Sequence, residues 1–245
     1  MAAVPALGAG PAPERWSAVP LAELEGTSLI AVELGRVPVF RGAETDRFLA
    51  GFGLQWTPHP ATSVWGSTRF AGTRSPVGLS RAGVEGLELG SRFRPFGGAD
   101  APVEPGLAWW ARLPLSPRID GVASPAADLT LAAELGRTLG PARLEVAIGL
   151  QILGNPLLDA EQDDRLLLRS TGALALGPVD AYASAQGTLA SPRNPAQGEL
   201  ALGVEGRCPT RIGLEIATGL SPAGPDVALR GWLGVARACR SRGGD

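Results

Sequence analysis

The sequence predicts an all-β protein, a transmembrane antiparallel up-and-down β-barrel of about twelve strands. Three observations predict it. Apolar and polar residues alternate with a period of two from about residue 28 onward, the alternating segments run to 10 residues or more, and short turns alternate with longer polar links. Successive side chains of a strand point to opposite faces, so each segment has one apolar and one polar face. Strands of soluble sheets are usually about 5–6 residues long, so the longer segments favour a membrane-spanning barrel.

Each strand is predicted from its own alternating segment. In the clearest one, residues 143–152, the odd-numbered positions are Arg, Glu, Ala, Gly and Gln, and the even-numbered positions are Leu, Val, Ile, Leu and Ile. The segments 128–135, 199–205 and 211–216 alternate in the same way. In chain order, the predicted strands lie near residues 28–40, 45–56, 61–71, 84–94, 105–114, 127–138, 142–153, 164–176, 179–190, 198–207, 211–220 and 226–237.

Turns of two lengths separate these segments. Short proline-containing turns lie at residues 140–142, 177–179 and 208–210, and longer polar links lie near residues 71–83 and 154–164. In an outer-membrane barrel the periplasmic turns are short and the external loops are longer. A soluble β-sandwich, whose strands also alternate, is the alternative fold.

The predicted organisation has three parts. Residues 1–26, rich in Pro, Ala and Gly, form an irregular leader, residues 27–240 form the barrel, and residues 241–245 form a C-terminal tail. The first residues lack the charged and apolar regions of an intact signal peptide. The chain is therefore expected either to be cytosolic, or to have lost its signal by cleavage or by the assignment of its start.

The composition argues against most enzymes and against nucleic-acid binding. The formal net charge is −2, with 22 basic and 24 acidic residues, which gives no basic surface for a nucleic acid. The chain has one His and two Cys, little material for a metal site or a thiol-based enzyme. The histidine, His59, lies between two prolines with no recognisable nucleophile motif nearby. We predict no catalytic residue, no metal site and no cofactor.

The polar face of the predicted barrel is its lumen. Alternation places the following charged residues on that face: Glu88, Arg92, Arg112, Glu134, Arg143, Glu145, Arg165, Arg169, Glu199, Glu205, Arg207, Arg211, Glu215 and Arg230. Two interpretations stay open. Arg and Glu on neighbouring strands neutralise one another inside a narrow barrel, or they line a pore for polar solutes.

Three stretches resemble a known family. They are Glu88-Leu-Gly-Ser-Arg-Phe-Arg-Pro-Phe, Pro105-Gly-Leu-Ala-Trp-Trp-Ala-Arg-Leu-Pro-Leu-Ser-Pro and Ala127-Asp-Leu-Thr-Leu-Ala-Ala-Glu-Leu-Gly. Together they resemble the meander barrels of Gram-negative outer membranes known as transporters or phenol-degradation-associated proteins. The resemblance covers about residues 84–237 and implies a channel or transporter in the cell envelope, with apolar or aromatic compounds as solutes.

The sequence therefore favours an outer-membrane channel for small solutes. Its expected partners are outer-membrane lipid and a small-molecule solute, and the oligomeric state stays open. A barrel of about twelve strands encloses only a modest lumen that side chains can fill. The alternative is thus a non-conducting barrel with a structural or envelope-assembly role.

The two cysteines, Cys208 and Cys239, are predicted to form a disulfide. Cys208 lies at the turn before the eleventh strand and Cys239 just past the twelfth, so both fall at the periplasmic rim. The strands are expected to be second neighbours, about 10 Å apart, too far for a direct bridge. A tail that folds back closes this distance, and the periplasm is oxidising. The alternative is two free thiols.

Overall fold

The structure is a computed structural model that describes residues 28–39, 45–59, 61–74, 80–95, 103–115, 127–153, 164–189, 196–206, 210–220 and 226–236. The regular elements in these ranges are β1 (Ser28–Val39), β2 (Thr45–His59), β3 (Thr62–Arg74), β4 (Ser80–Phe93), β5 (Glu104–Leu113), β6 (Asp128–Leu139), β7 (Ala142–Leu153), β8 (Arg165–Leu176), β9 (Val179–Thr188), β10 (Gln197–Gly206), β11 (Thr210–Leu220) and β12 (Asp226–Ala236). None of the described residues belongs to a helix long and apolar enough to cross a membrane.

The strands form one closed barrel. Each strand pairs antiparallel with its neighbours in sequence, and β1 also pairs with β12. The register of this closing pair runs from Leu29 opposite Ala236 to Arg36 opposite Leu229. Closure gives every strand two partners, so the barrel has no open edge. The predicted all-β barrel of about twelve strands is confirmed, with each boundary within four residues of its predicted position.

Two hairpin turns show why glycine and proline stand together in this sequence. Gly140 and Gly177 have φ angles of 58° and 66°, the left-handed region that favours glycine. Each is followed by a proline, whose ring fixes φ near −65°. A positive φ followed by a negative one matches the two-residue type II′ hairpin turn, whose twist suits antiparallel strands. These turns join β6 to β7 and β8 to β9 at one end of the barrel.

Turn lengths do not alternate throughout, which corrects the sequence-based expectation. Residues 94–103 connect β4 to β5 at the same end as the two hairpin turns, and this link is long. It begins with Arg94, which is only 3% exposed. This long link between β4 and β5 therefore contributes the Arg94 side chain to the barrel interior.

The two faces of each strand differ as the alternation predicts. On β6, Leu131 and Leu135 are 49% and 51% exposed, whereas Thr130 and Glu134 are each 2% exposed. The other strands described at side-chain level repeat the pattern, with most large apolar side chains outward and mainly polar or small ones inward. Trp65, Trp110 and Leu167 are exceptions that point inward. This is the reverse of a soluble protein, in which large aliphatic side chains fill the core.

Candidate functional site in the barrel interior

The structure describes the side chains of eleven of the fourteen charged residues assigned to the lumen. Eight are buried: Glu88, Arg92, Glu134, Arg143, Glu145, Arg169, Glu205 and Glu215. Three are half-buried: Arg112, Arg165 and Glu199. Arg207 lies outside the described residues, and Arg211 and Arg230 are described only for their backbone.

Seven of the buried charged residues meet in one group, which we call the Arg/Glu cluster: Arg92, Arg94, Arg143, Arg169, Glu104, Glu134 and Glu145. Glu134 lies at its centre. Its Oε1 accepts hydrogen bonds from Nη2 of Arg92 and from Nη2 of Arg169, both at 2.9 Å. Its Oε2 accepts one from Nη2 of Arg94 at 3.2 Å. One carboxylate thus holds three guanidinium groups from two strands and a link.

Glu145 on β7 is a second carboxylate bound by the same arginines. Arg94 donates to its Oε2 at 2.6 Å and Arg169 to its Oε1 at 3.1 Å. Arg92 lies 3.7 Å from Oε1. Because β4 and β7 are three positions apart in the barrel, these contacts can form only across the concave inner side. The cluster therefore lies in the interior and ties β4, β6, β7 and β8 together.

A third carboxylate, Glu104, completes the cluster. Arg143 donates to it through both terminal nitrogens, at 3.4 and 2.8 Å. Such paired contacts are among the stronger charged hydrogen bonds. The cluster holds four guanidinium groups against three carboxylates, one net positive charge. Buried charges of this kind are tolerated only when paired, because desolvating an isolated ion is costly.

An apolar layer lies beside these charges in the same interior. Trp65, Ala108, Trp110 and Ala132 form a buried cluster, and Leu167 packs against it. The indole of Trp65 packs against Gly90, where an added Cβ would stand 2.3 Å from the ring. Glycine at this position therefore provides the space for the indole. Neither tryptophan is among the interior residues predicted from the sequence.

The β9–β11 wall carries a separate polar contact. The hydroxyl of Tyr182 donates to Oε2 of Glu215 at 3.0 Å, and both side chains are buried. The ring lies over Gly203, where an added Cβ would also stand 2.3 Å away. Towards the far end of β9, Gln186 Nε2 donates to Glu199 Oε1 at 3.4 Å.

The two walls differ in their access to water. On β5, β6 and β7 every described inward side chain is buried except Arg112 and Thr138 near strand ends. On β8, β9 and β10 many inward side chains are half-buried instead: Arg165, Leu167, Ala173, Ala175, Asp180, Ser184, Gln186, Thr188 and Glu199. Among the described strands, the inward side chains of β8–β10 are therefore less completely covered than those of β5–β7.

The single histidine takes part in a local turn. His59 is exposed at the end of β2, and its Nδ1 accepts a hydrogen bond from the Ala61 amide at 3.1 Å. In the described ranges, no three His, Cys, Asp or Glu side chains are grouped as metal ligands. Both cysteines lie outside the described residues, so the disulfide stays a prediction.

Comparison with known proteins relates the fold to outer-membrane barrels. No protein-family model and no curated sequence matches the chain. An outer membrane channel from Pseudomonas putida F1 is similar in structure, with a TM-score of 0.71 at 11% identity over 87% of this chain and 96% of that one. The NanC porin has a TM-score of 0.56 at 8% identity, over 84% of this chain and 98% of that one.

A third similar structure is the CymD monoaromatic hydrocarbon channel, with a TM-score of 0.50 at 9% identity over 93% of this chain and 92% of that one. At these identities the likeness concerns the fold. The chain is thus an antiparallel β-barrel with the fold seen in outer-membrane channels.

Proposed function

We propose that this chain is an outer-membrane channel for small solutes. The observation that carries the proposal is a closed barrel whose outer face is apolar and whose inner face is charged. A closed barrel satisfies every strand's backbone hydrogen bonds internally, which is what a spanning structure needs where lipid replaces water.

The outer face supports the membrane part of the proposal. Many of its large apolar side chains are exposed, for example Leu107 at 63% and Leu202 at 61%, and they recur on the strands described at side-chain level. Soluble monomers rarely expose contiguous apolar patches larger than a few hundred Å². Strands of 12 residues such as β6 and β7, at about 3.3 Å per residue and a tilt of about 40°, span roughly 30 Å, enough for the apolar band of an outer-membrane barrel.

Fractionation tests the location. We expect the full-length chain, expressed with a secretion signal in a Gram-negative host, to fractionate with the outer membrane. Its folded form should migrate differently from its boiled form in a detergent gel. Recovery as a soluble protein that needs no detergent would contradict the proposal.

Passage of solutes is a separate claim with its own test. Purified barrels in planar bilayers should conduct ions, and proteoliposomes should swell in small solutes. Empty liposomes and a boiled preparation are the controls. Reconstituted, folded barrels that stay closed to every ion and solute tested would refute the channel.

One observation favours a second candidate, a non-conducting barrel with a structural role in the envelope. The Arg/Glu cluster and the apolar layer of Trp65 and Trp110 together fill the interior beside β4–β8. The same conductance experiment separates the two candidates. The expectation of apolar or aromatic solutes depends on the family resemblance alone, and the polar side chains on the inner wall of β8–β10 favour the opposite preference.

A further inference from the structure

We propose that solutes cross this barrel along the inner wall of β8–β10, and that this wall selects small hydrogen-bonding solutes over apolar ones. The inference rests on the proposed channel function and adds a route and a class of solute. Tyr182 is the residue that narrows this route.

The route follows from the exposure of inward side chains. Along β9, Asp180, Ser184, Gln186 and Thr188 are half-buried, so water-accessible positions recur along the strand. Gln186 contacts Glu199 and Tyr182 contacts Glu215 on the inner side, and alternation places the other even-numbered residues of β9 on that side too. The facing positions of β5–β7 are closed by the Arg/Glu cluster and the apolar layer.

The chemistry of this wall sets the class of solute. Its half-buried inward side chains carry hydroxyls, an amide, carboxylates and the Arg165 guanidinium, with Leu167 as the large apolar exception. The aromatic rings of Trp65 and Trp110 are 8% and 4% exposed and offer almost no surface to a passing molecule. An apolar solute would displace water from polar groups without replacing their hydrogen bonds, which is unfavourable.

Tyr182 narrows the route because its ring occupies space on the inner face of β9. The ring is fixed there, since any other position would cost it the contacts with its neighbours. It is the buried residue of β9 between half-buried Asp180 and Ser184. The hydrogen bond to Glu215 and the close contact with Gly203 hold the ring in this position. Removing the ring should widen the route without touching the Arg/Glu cluster.

Cysteine labelling tests the route. In the full-length chain carrying Cys208→Ser and Cys239→Ser, we would place a single cysteine by Ser184→Cys on the proposed route or by Ala132→Cys on the opposite wall. A charged methanethiosulfonate reagent should lower the conductance of the Ser184→Cys channel about twofold or more, because a bulky charge then occupies the pore. The Ala132→Cys channel should be unaffected. Gel heat-modifiability checks that both variants fold.

The outcomes separate the route from the function itself. A conducting channel that is blocked through Ala132→Cys but not through Ser184→Cys would overturn the route. As a second measurement, Tyr182→Ala should raise the conductance, and an unchanged or lower value in a folded barrel would remove Tyr182 from the route. A wild-type barrel that conducts nothing overturns the proposed function, and this inference with it.

Solute class has its own readout. Proteoliposomes with wild-type barrels should swell in arabinose, and Gln186→Leu, which replaces a half-buried amide of this wall by an apolar group, should slow that swelling about twofold. Phenol, as an apolar aromatic probe, should leave the ion current of the wild-type channel unchanged. Block of the current by phenol together with exclusion of arabinose would overturn the inferred preference.

Discussion

Glu134 on β6 and Arg169 on β8 form a hydrogen-bonded ion pair of 2.9 Å across the barrel interior, skipping the strand between them. Both residues are at most 6% exposed. A contact between second-neighbour strands depends on how far the wall curves, so it links the closure of the barrel to the pairing of its charges. Both residues have further partners. Glu134 also binds Arg92 on β4 and Arg94 in the link after it. Arg169 also binds Glu145 on β7.

Removing the charge of Glu134 should strongly destabilise the barrel. Glu134→Gln leaves Arg92, Arg94 and Arg169 facing one another with a single shared carboxylate, Glu145. Breaking one partner of a buried ion pair typically lowers the free energy of unfolding by about 3–5 kcal/mol. Denaturant unfolding in detergent measures it. Arg137→Gln, at an exposed outward position of the same strand, should change it by no more than about 0.5 kcal/mol.

An equal effect of the two substitutions would contradict the central position of Glu134. It would mean that the neutral amide in the Glu134→Gln variant and the surrounding arginines rearrange without loss, and hence that the cluster is not tightly packed.

A charge on the outer wall distinguishes a membrane barrel from a soluble one. Leu202 is 61% exposed on the outer face of β10, well inside the strand. In lipid, Leu202→Arg should lower the unfolding free energy by about 2–4 kcal/mol, whereas Leu139→Arg at a strand end should lower it by about 0–1 kcal/mol. Urea titration of tryptophan fluorescence in lipid vesicles measures both. If both variants were as stable as the wild type, the outer face would be in contact with water.

The strands and their faces could be predicted because they depend on local alternation. On β7 the apolar residues alternate with polar or small ones, so the face of each residue can be predicted. The structure places Leu144 outside and Glu145 inside, as expected. The members of the Arg/Glu cluster were harder to identify. Arg94 follows Arg92 by two residues and so shares its face, but it lies past the end of β4 before a proline, and Glu104 opens β5.

The partners within the interior could not be predicted at all. Which arginine meets Glu134 depends on the curvature of the closed wall and on the relative register of strands that do not pair with each other. The same holds for Trp65 and Trp110, because tryptophan suits both a lipid-facing band and a packed interior. One observation could have placed Trp110 inside. It is two residues from Arg112 on β5, and residues two apart on a strand point to the same face of the sheet.

Glycine at position 90 should be required for the apolar layer. In Gly90→Ala the new methyl group would stand 2.3 Å from the Trp65 indole and 2.9 Å from the Trp109 carbonyl oxygen, a rigid backbone atom. Overpacking of this kind lowers stability by about 1–3 kcal/mol. The matched control is Gly172→Ala, whose methyl group would meet only Leu144 Cδ2 at 3.4 Å. Thermal unfolding of both variants in detergent, followed by tryptophan fluorescence, should show a loss for Gly90→Ala alone.

The predicted disulfide between Cys208 and Cys239 gains support from the strand register, although both cysteines lie outside the described residues. Thr210 at the start of β11 lies opposite Val235 near the end of β12. These strands are direct neighbours, closer than the second-neighbour separation expected from the sequence. Cys208 is two residues before Thr210 and Cys239 four residues after Val235, and such short segments reach about 3.3–3.6 Å per residue. The Cα separation of about 4.4–6.8 Å that a disulfide needs is therefore attainable.

Thiol titration decides whether this bond forms. Protein purified without reductant and then denatured should show no free thiol, and both thiols should appear after reduction. Closing the chain between the two cysteines should raise the free energy of unfolding by about 3–4 kcal/mol relative to the reduced form, because the unfolded chain loses conformational freedom. Cys239→Ser is the control, since it leaves Cys208 without a partner and should unfold like the reduced wild type. Two free thiols in the unreduced, denatured protein would show that the C-terminal segment is not covalently tied to the start of β11.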